Sequence, residues 1–460
     1  MSPEAKTDAT TDKPATKADK PAAKAAPAKA KKAKQTEGST DAQRAKMAQM
    51  AASAILKSTG LKVVEESHAP LPAVSSGSSC IDDLIGGTPA LDGSGPKCLG
   101  YPRRHITEIF GAESSGKTTA ALEAIAEAQQ RGGWAMFIDF EHALDHDYAK
   151  KVGVSFAKDK LMLYAPSTIE QGWRLIYVGI AAGVDLIVID SVAAMVPNAE
   201  LNKKKPGDTA KIGAVAAAMA QNLPKVCIWL NGPASKNPLG TAIIMLNQIR
   251  ATINTGGGGG GKGTNENTSG GYALKFFAYL RLKFTRIGSE VVKKKDKFTG
   301  KEKTYAYGNH TMVKLVKSKI DGKQGFTSNI FIRYNQGIDD YYSMIEAGLT
   351  QKIVKRSGAY YEFGEHRFQG RDKFRAFLME NTKVFEDLRK QVLAMVRTER
   401  DVQDDEVDEE NELLSNMNEA LEEESLEPEE AGTTEVEAED GVFDELDASE
   451  SASEEEGNDA

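Results

Sequence analysis

The run Gly111-Ala112-Glu113-Ser114-Ser115-Gly116-Lys117-Thr118-Thr119 constrains this chain more than any other feature. It matches G-x4-G-K-[ST], follows an apolar stretch at 105–110 that reads as a buried strand, and opens a helical stretch at 120–131. That context makes it a phosphate loop: glycines let successive N–H groups turn inward, and the helix N-terminus favours negative charge. Lys117 is placed to reach the β- and γ-phosphates of a nucleotide, and the Thr118 hydroxyl to ligate Mg2+. Glu113, Ser114, Ser115 and Thr119 complete the loop.

Two carboxylates extend the site. Leu186-Ile187-Val188-Ile189-Asp190 is an apolar strand ending in an acid, as a metal-positioning aspartate requires. Phe137-Ile138-Asp139-Phe140-Glu141 ends the preceding strand with Glu141. Active groups of such sheets collect at the carboxyl ends of the strands, where a glutamate can orient and deprotonate a water. A helix cap or surface carboxylate is the plainer reading of Glu141.

Strands expected at 105–110, 135–140, 186–190 and 242–247 alternate with helices at 120–131 and 169–182. This is the α/β pattern of a mostly parallel sheet covered on both faces. Further strands are expected at 275–285 and 311–317, and a small α+β module at 340–400 has helices at 371–379 and 383–396. Before the core, Met47, Met50, Ala51, Ala54 and Ile55 form one stripe that stops at Gly60, a helix that docks on its own chain or on a neighbour. The divisions expected are a Lys/Ala/Pro-rich arm at 1–40, the helix and linker at 41–75, the core at 76–334, the module at 335–398 and a tail at 399–460. Nine Lys and five acids leave the arm without apolar surface, which implies disorder.

The net charge of −9 averages unlike pieces. The segment 401–460 holds 27 acidic residues and no Lys or Arg, which leaves residues 1–400 at +18. A basic body with an acidic tail points to a polyanionic partner and a competing tail, or to a tail that serves solubility. Three scattered cysteines, Cys80, Cys98 and Cys227, exclude a disulfide framework or zinc ribbon and suit a cytoplasmic location. No stretch approaches the roughly 18 apolar residues of a spanning helix, so no membrane role is expected.

With these residues in order, the chain resembles the RecA recombinase family. The resemblance is carried by the loop at 111–119, by residues 137–145, by Val188-Ile189-Asp190-Ser191-Val192-Ala193-Ala194, by Leu246-Asn247-Gln248-Ile249-Arg250 and by Gly270-Gly271-Tyr272-Ala273-Leu274-Lys275-Phe276. Residues 346–349 and 357–361 carry it into the C-terminal module. The resemblance implies an ATP- and Mg2+-dependent recombinase that forms helical filaments on single-stranded DNA and pairs it with double-stranded DNA in recombination, repair and the SOS response. It makes Glu141 the catalytic glutamate, Tyr148 the residue stacked on adenine, Asp145 a neighbour of the base and Gln248 the γ-phosphate sensor. Lys317 and Lys319 would reach the ATP of the adjacent subunit. Lys275, Phe276 and Arg281 would lie on a subunit-interface strand, and the helix at 41–57 would serve polymerisation.

Two loops would hold DNA, at 198–211 and 250–271. Lys203, Lys204 and Lys205 in the first suit phosphate contacts, or simply a solvated loop. The second combines Arg250, Ile253, Lys262, Asn265, Asn267, Thr268 and Ser269 with six consecutive glycines at 256–261, where the family usually carries a bulky apolar pair. A flexible linker is the plainer reading of that loop. The helix expected at 212–223 lacks the family's arginines, and 231–239 is an insertion. Lys352, Lys355, Arg356, Arg367, Arg371, Lys373 and Arg375 would capture duplex DNA, or are ordinary surface charge. The rival functions are a DNA-coating filament with weak exchange activity and a related hexameric motor.

Overall fold

The computed structural model describes residues 41–60, 69–86, 97–201, 213–233, 235–251, 266–295, 302–320, 324–400 and 402. Two units are distinguished, residues 1–68 and 69–460. In the first, helix α1 (Asp41–Thr59) ends where Gly60 N bonds to Leu56 O, and Met47, Met50, Ile55 and Leu56 are exposed.

The second unit opens with an antiparallel pair, β1 (Ala73–Val74) and β2 (Tyr101–Pro102), and helix α2 (Ser79–Gly86) between them in sequence. Then follow β3 (Ile106–Gly111), α3 (Lys117–Gln130), β4 (Ala135–Asp139), α4 (His146–Val152), β5 (Leu161–Tyr164), α5 (Ile169–Ala182) and β6 (Leu186–Asp190). A 3-10 turn (Val192–Ala194), α6 (Asn198–Leu201) and α7 (Ala214–Asn231) lead to β7 (Ala242–Ala251), β8 (Glu266–Thr268) and α8 (Gly271–Phe277). The long strands β9 (Leu280–Lys295) and β10 (Glu302–Ser318) precede β11 (Thr327–Arg333) and β12 (Gly337–Ile338). The last portion holds α9 (Asp340–Thr350), the three-stranded sheet β13 (Lys355–Ser357), β14 (Tyr360–Phe363) and β15 (His366–Gln369), α10 (Arg371–Glu380) and a helix at 382–400.

The main sheet runs β12-β11-β10-β9-β3-β7-β6-β4-β5, with β8 paired to β7. From β9 to β5 every neighbouring pair is parallel, and the pairs from β9 outward to β12 are antiparallel. Strand residues alternate between faces. Phe137, Val188, Ile244 and Leu282 join one core with α2, α3 and the C-terminal helices. Met136, Ile138, Ile187, Ile189, Ile243 and Met245 join the other with α5, α7 and α8. Among the described residues no helix is long and apolar enough to cross a membrane.

The elements expected at 105–110, 135–140, 169–182, 186–190 and 371–379 appear within a residue, and 169–182 and 186–190 match throughout. Others differ more. The helix expected at 120–131 begins at Lys117, the strand expected at 311–317 is the end of β10, and the helix expected at 383–396 spans 382–400. The strand expected at 275–285 begins at Leu280, because Gly270 (φ 88) starts helix α8 and carries Lys275 and Phe276 into it. The strand expected at 242–247 runs on to Ala251, held by antiparallel pairing with β8. The helix expected at 212–223 is α7, which passes through Pro224 and takes in the start of the insertion. Asn237 fastens the rest by donating to Gly183 O and to Asp185 Oδ1, at 3.2 and 3.1 Å.

The C-terminal helices are tied down by buried acids. Asp83 on α2 takes Arg397 at 2.5 Å and Arg400 at 2.8 Å, so helix 382–400 is anchored through its last turn. Asp339 caps α9 through Tyr342 N and pairs with Arg333 and Arg375. Glu123 on α3 accepts from Ile338 N at 2.7 Å, joining the phosphate-loop helix to the strand that leads into α9. Burial, only partly offset by that bond, pushes the Glu123 carboxyl up to about 8 from 4.5.

The folded chain therefore holds the Glu123 proton across a pH window in which the unfolded chain has lost it, and stability falls as pH rises from 4.5 toward about 8. Glu123→Gln keeps an acceptor for Ile338 N and removes this dependence. In urea titrations at pH 6 and pH 9, wild type is expected to lose about 2 kcal/mol more than the variant.

Candidate functional site

The phosphate loop leaves β3, which is hydrogen-bonded to β7 on one side and β9 on the other. Gly116 adopts φ 94 at the start of α3, and a Cβ there would come 2.2 Å from Ile332 Cδ1, so the turn needs glycine. Glu113 and Ser114 are exposed at the loop's crest, Ser114 at φ 58. Ser115 is buried, its hydroxyl without a protein partner. Lys117 is buried too, folded back so that Nζ donates to Ala112 O at 2.7 Å. Burial pulls the Lys117 ammonium below its ordinary value, with Asp190, Glu141 and Glu113 opposing. A cation donating to its own loop, beside an unsatisfied hydroxyl, is what an anion-binding cradle looks like with the anion's part taken by a carbonyl.

Thr118 Oγ1 donates to Asp190 Oδ2 at 2.9 Å, which brings together the two oxygens expected to hold a cation. Burial pushes the Asp190 carboxyl up to about 6, and the Thr118 bond works the other way. Phe140 N and Glu141 N both bond to Asp190 O, at 2.7 and 3.3 Å, so the end of β4 is pinned to the end of β6. Glu141 thereby faces Ser191, whose Oγ donates to Glu141 Oε1 at 2.5 Å, and Gln248 Nε2 donates to the same oxygen at 3.1 Å. Glu141 is exposed, free to meet solvent with its other oxygen.

Asp145 caps α4, accepting from Asp147 N and Tyr148 N at 2.9 Å. That turn brings the Tyr148 hydroxyl to Thr119 Oγ1 at 2.8 Å, beside the loop helix. Gly111, Gly116, Lys117, Thr118, Thr119, Glu141, Tyr148, Asp190 and Gln248 thus gather at one end of the sheet.

Behind Gln248 lies a network that periodicity does not reveal. Asn247 Nδ2 donates to Glu108 Oε1 at 2.8 Å and to Ser269 O at 2.9 Å, and Gln248 N donates to Asn247 Oδ1 at 2.9 Å. Glu108 is fully buried, and its other oxygen takes Arg281 Nε at 2.5 Å. The one sequence signal is a charged residue at the centre of the apolar run 105–110. Ser191 was likewise without an expected role, although it sits inside the Asp190-Ser191-Val192 motif.

Other expected residues are not gathered at this end. Lys317 and Lys319 lie back along the sheet: Lys317 pairs with Arg281 and Arg281 with Glu108 in the middle of β3, while Lys319 N bonds to Tyr279 O and Tyr279 N to Ile106 O at its start. Lys317 Nζ caps α8 by donating to Lys275 O and Phe276 O at 2.8 Å, and Lys319 lies 5.9 Å from the centre of the Phe276 ring. Burial draws the Lys317 ammonium below its ordinary value. Lys275 and Phe276 are on helix α8 rather than on an interface strand, and only Arg281 is on β9. Tyr272 and Phe276, one helical turn apart, are both strongly exposed.

The second loop is shorter than expected. Arg250 belongs to β7, Asn267 and Thr268 belong to β8 with Arg250 opposite Asn267, and Ser269 is in the turn before α8. Lys203, Lys204, Lys205, Ile253, Lys262 and Asn265 lie outside the described residues. The seven basic residues of the C-terminal module divide. Arg371 pairs with Glu346, Arg375 with Asp339 and Arg367 with Glu362, while Lys352, Lys355, Arg356 and Lys373 are exposed.

A phosphate loop ending in Lys117 and Thr118, with Asp190 and Glu141 at the ends of parallel strands beside it, defines a P-loop nucleoside triphosphatase. Comparison with known proteins narrows the class. The RecA N-terminal domain matches residues 46–339, and the RecA C-terminal domain matches residues 343–397. Protein RecA of Nocardia farcinica is 38% identical over 357 residues, covering 76% of this chain and 92% of that protein. Protein RecA of Mycobacteroides abscessus is 38% identical over 372 residues, covering 79% and 96%. Among solved structures, the crystal structure of the RadB recombinase is similar at TM-score 0.38 and 18% identity, covering 58% of this chain and 98% of that one. The chain belongs to the RecA family, and is an ATP-dependent DNA recombinase and DNA-dependent ATPase.

The Glu108 network carries a stability test. Glu108→Ala strands Arg281 and Asn247 in the interior and is expected to cost about 3–5 kcal/mol in chemical denaturation. Glu108→Gln, which keeps the shape and loses the charge, is expected to fall between that variant and wild type.

Proposed function

We propose that Glu141 activates the water that attacks the γ-phosphate, and that Gln248 reports the outcome to the DNA-binding loop. The observation that carries this is the bond from Gln248 to Glu141, made from the strand that runs directly into the second loop. Ser191 holds the same carboxylate oxygen and so orients the base. Asn247, bonded to the Gln248 backbone and to Ser269, ties both ends of that loop to the sensor.

ATP supplies the phosphoryl group to be transferred. The loop backbone and Lys117 would bind its phosphates, and Thr118 with Asp190 would hold the divalent cation. Among the described residues no group of three His, Cys, Asp or Glu could hold a metal. A hydroxyl and one carboxylate favour Mg2+, which keeps waters and takes phosphate oxygens. Tyr148 and Asp145 stand where the base would lie.

Lys317 and Lys319 stand too far along the sheet to serve the nucleotide of their own chain. We assign them to the nucleotide of a neighbour, which makes assembly a condition of fast hydrolysis, as with an arginine finger supplied in trans. Filament formation on single-stranded DNA, with capture of a duplex and exchange between the two, is the reading this supports. α1 is the polymerisation helix, residues 76–334 the ATPase core, 335–398 the duplex-capturing module, and the compartment is the cytoplasm.

ATP hydrolysis is expected to rise strongly with single-stranded DNA in wild type and to be lost in Glu141→Gln. Hydrolysis in wild type that ignores DNA would remove the coupling through Gln248.

A cut at Thr398 would delete Arg400 and its pair with Asp83, so the acidic tail is tested by a cut beyond that anchor. Truncation after Val402 keeps that anchor. It is expected to raise duplex affinity at low Mg2+, measured by fluorescence anisotropy, and equal affinity would leave the tail a solubility device.

A further inference from the structure

Strand β9 passes the phosphate loop and keeps going. Phe284 pairs with Gly111, and β9 continues to Lys295, roughly 35 Å of further strand at about 3.3 Å per residue. With β10 it forms a two-stranded ribbon on the same edge of the sheet as the nucleotide site. The ribbon's stem is braced by the C-terminal portion. Glu290 accepts from Tyr342 Oη at 2.7 Å and pairs with Arg371 at 3.4 Å, and Arg286 donates to Tyr334 Oη at 3.1 Å. Past this brace the ladder pairs Val291 with Ala306 and continues to Lys295 with Glu302.

The outer ribbon is basic on both faces. Lys293, Lys294 and Lys295 are consecutive and exposed, and none makes an ion pair with a described residue. Alternation puts Lys293 and Lys295 on one face and Lys294 on the other. Lys294 stands opposite Lys303, while Glu302 faces Lys295. Tyr305, 45% exposed, lies on the Lys294 face.

We propose that this ribbon is a duplex-DNA contact separate from the two loops and independent of ATP. A major groove about 12 Å wide admits a two-stranded ribbon, and lysines on opposite faces then reach the phosphates of both walls. Single strands are held through rows of stacking aromatics, and the described residues of the outer ribbon offer one, Tyr305. Outward from the bulge at Ala306/Gly308 the ribbon is an unbroken ladder, whereas the second loop follows β7 a few residues after Gln248. Among the described residues, neither Glu141 nor Gln248 bonds to Lys293, Lys294 or Lys295. With the whole chain at −9, duplex binding without nucleotide has to come from a local patch of this kind. The inference rests on the reading of the chain as a DNA-handling protein but needs no hydrolysis.

The test is fluorescence anisotropy of a labelled mixed-sequence duplex with the full chain, without nucleotide, across a salt series. The triple variant Lys293→Ala/Lys294→Ala/Lys295→Ala is expected to lose on the order of tenfold in duplex affinity at low salt. The slope of log affinity against log salt should drop by about two to three, at about 0.9 per phosphate contact. The charge-keeping triple Arg variant should retain both, which separates a contact from a folding defect. Unchanged affinity and slope would overturn the proposal, as would a wild type that binds no duplex without nucleotide. An equal loss on single-stranded DNA would overturn the groove docking. A gain in duplex affinity would mean that the ribbon holds the acidic tail instead. Failure of DNA-stimulated hydrolysis with the ribbon effect intact would count against the proposed mechanism and leave the ribbon standing.

Discussion

Strand β3 is hydrogen-bonded on both sides, and the working parts of the molecule are positioned from it. On one side β7 brings Gln248 level with Gly111, and on the other β9 brings Arg281 level with Glu108. A buried glutamate in the middle of β3 then joins all three strands, taking Asn247 from β7 and Arg281 from β9. Desolvating a carboxylate is costly unless each oxygen is satisfied, and here each has one partner. That requirement fixes the register in which the phosphate loop, Gln248 and Lys317 stand relative to one another.

How much of this was legible follows from the reach of each interaction. The phosphate loop, Asp190 and Glu141 could be read because their chemistry needs contiguous backbone at strand ends. Helix α8 could not, because Tyr272, Phe276 and the residues after them satisfy a strand's alternation nearly as well as a helix's period. Gly270 was the available signal, since its left-handed φ starts the helix. The outer ribbon escaped because it buries no face, so no period of two in hydrophobicity marks it. Asp83 lies 314 residues from Arg397, and nothing local announces such a pair. Several arginines that looked like a duplex-binding surface are spent on ion pairs of this kind, which only the folded chain reveals.

The same division separates the rigid parts from the responsive ones. Where acids are buried against arginines, as at Asp83 and Asp339, the C-terminal helices are fixed to the core and transmit position. Around the phosphate loop the bonds are of another kind. Lys117 donates to its own loop, Thr118 to Asp190, and Ser191 and Gln248 to one oxygen of Glu141. Each of these donors would be claimed by phosphate, cation or water when the site works, so each is a bond that can be exchanged rather than lost.

That exchangeability bears on how charge is distributed. A body of +18 and a tail carrying 27 acids would collapse onto one another if the basic groups were all mobile and near the tail. Instead Arg281, Arg333, Arg375, Arg397 and Arg400 are committed to buried acids, and among the described residues exposed lysines stand apart from them on the ribbon and on the C-terminal module. A phosphate backbone, with charges at regular spacing, can satisfy several of these places at once. The tail's acids are interrupted by Ala, Ser, Leu and Gly and are less regularly spaced, so DNA has the advantage wherever two or more basic sites must be bridged together.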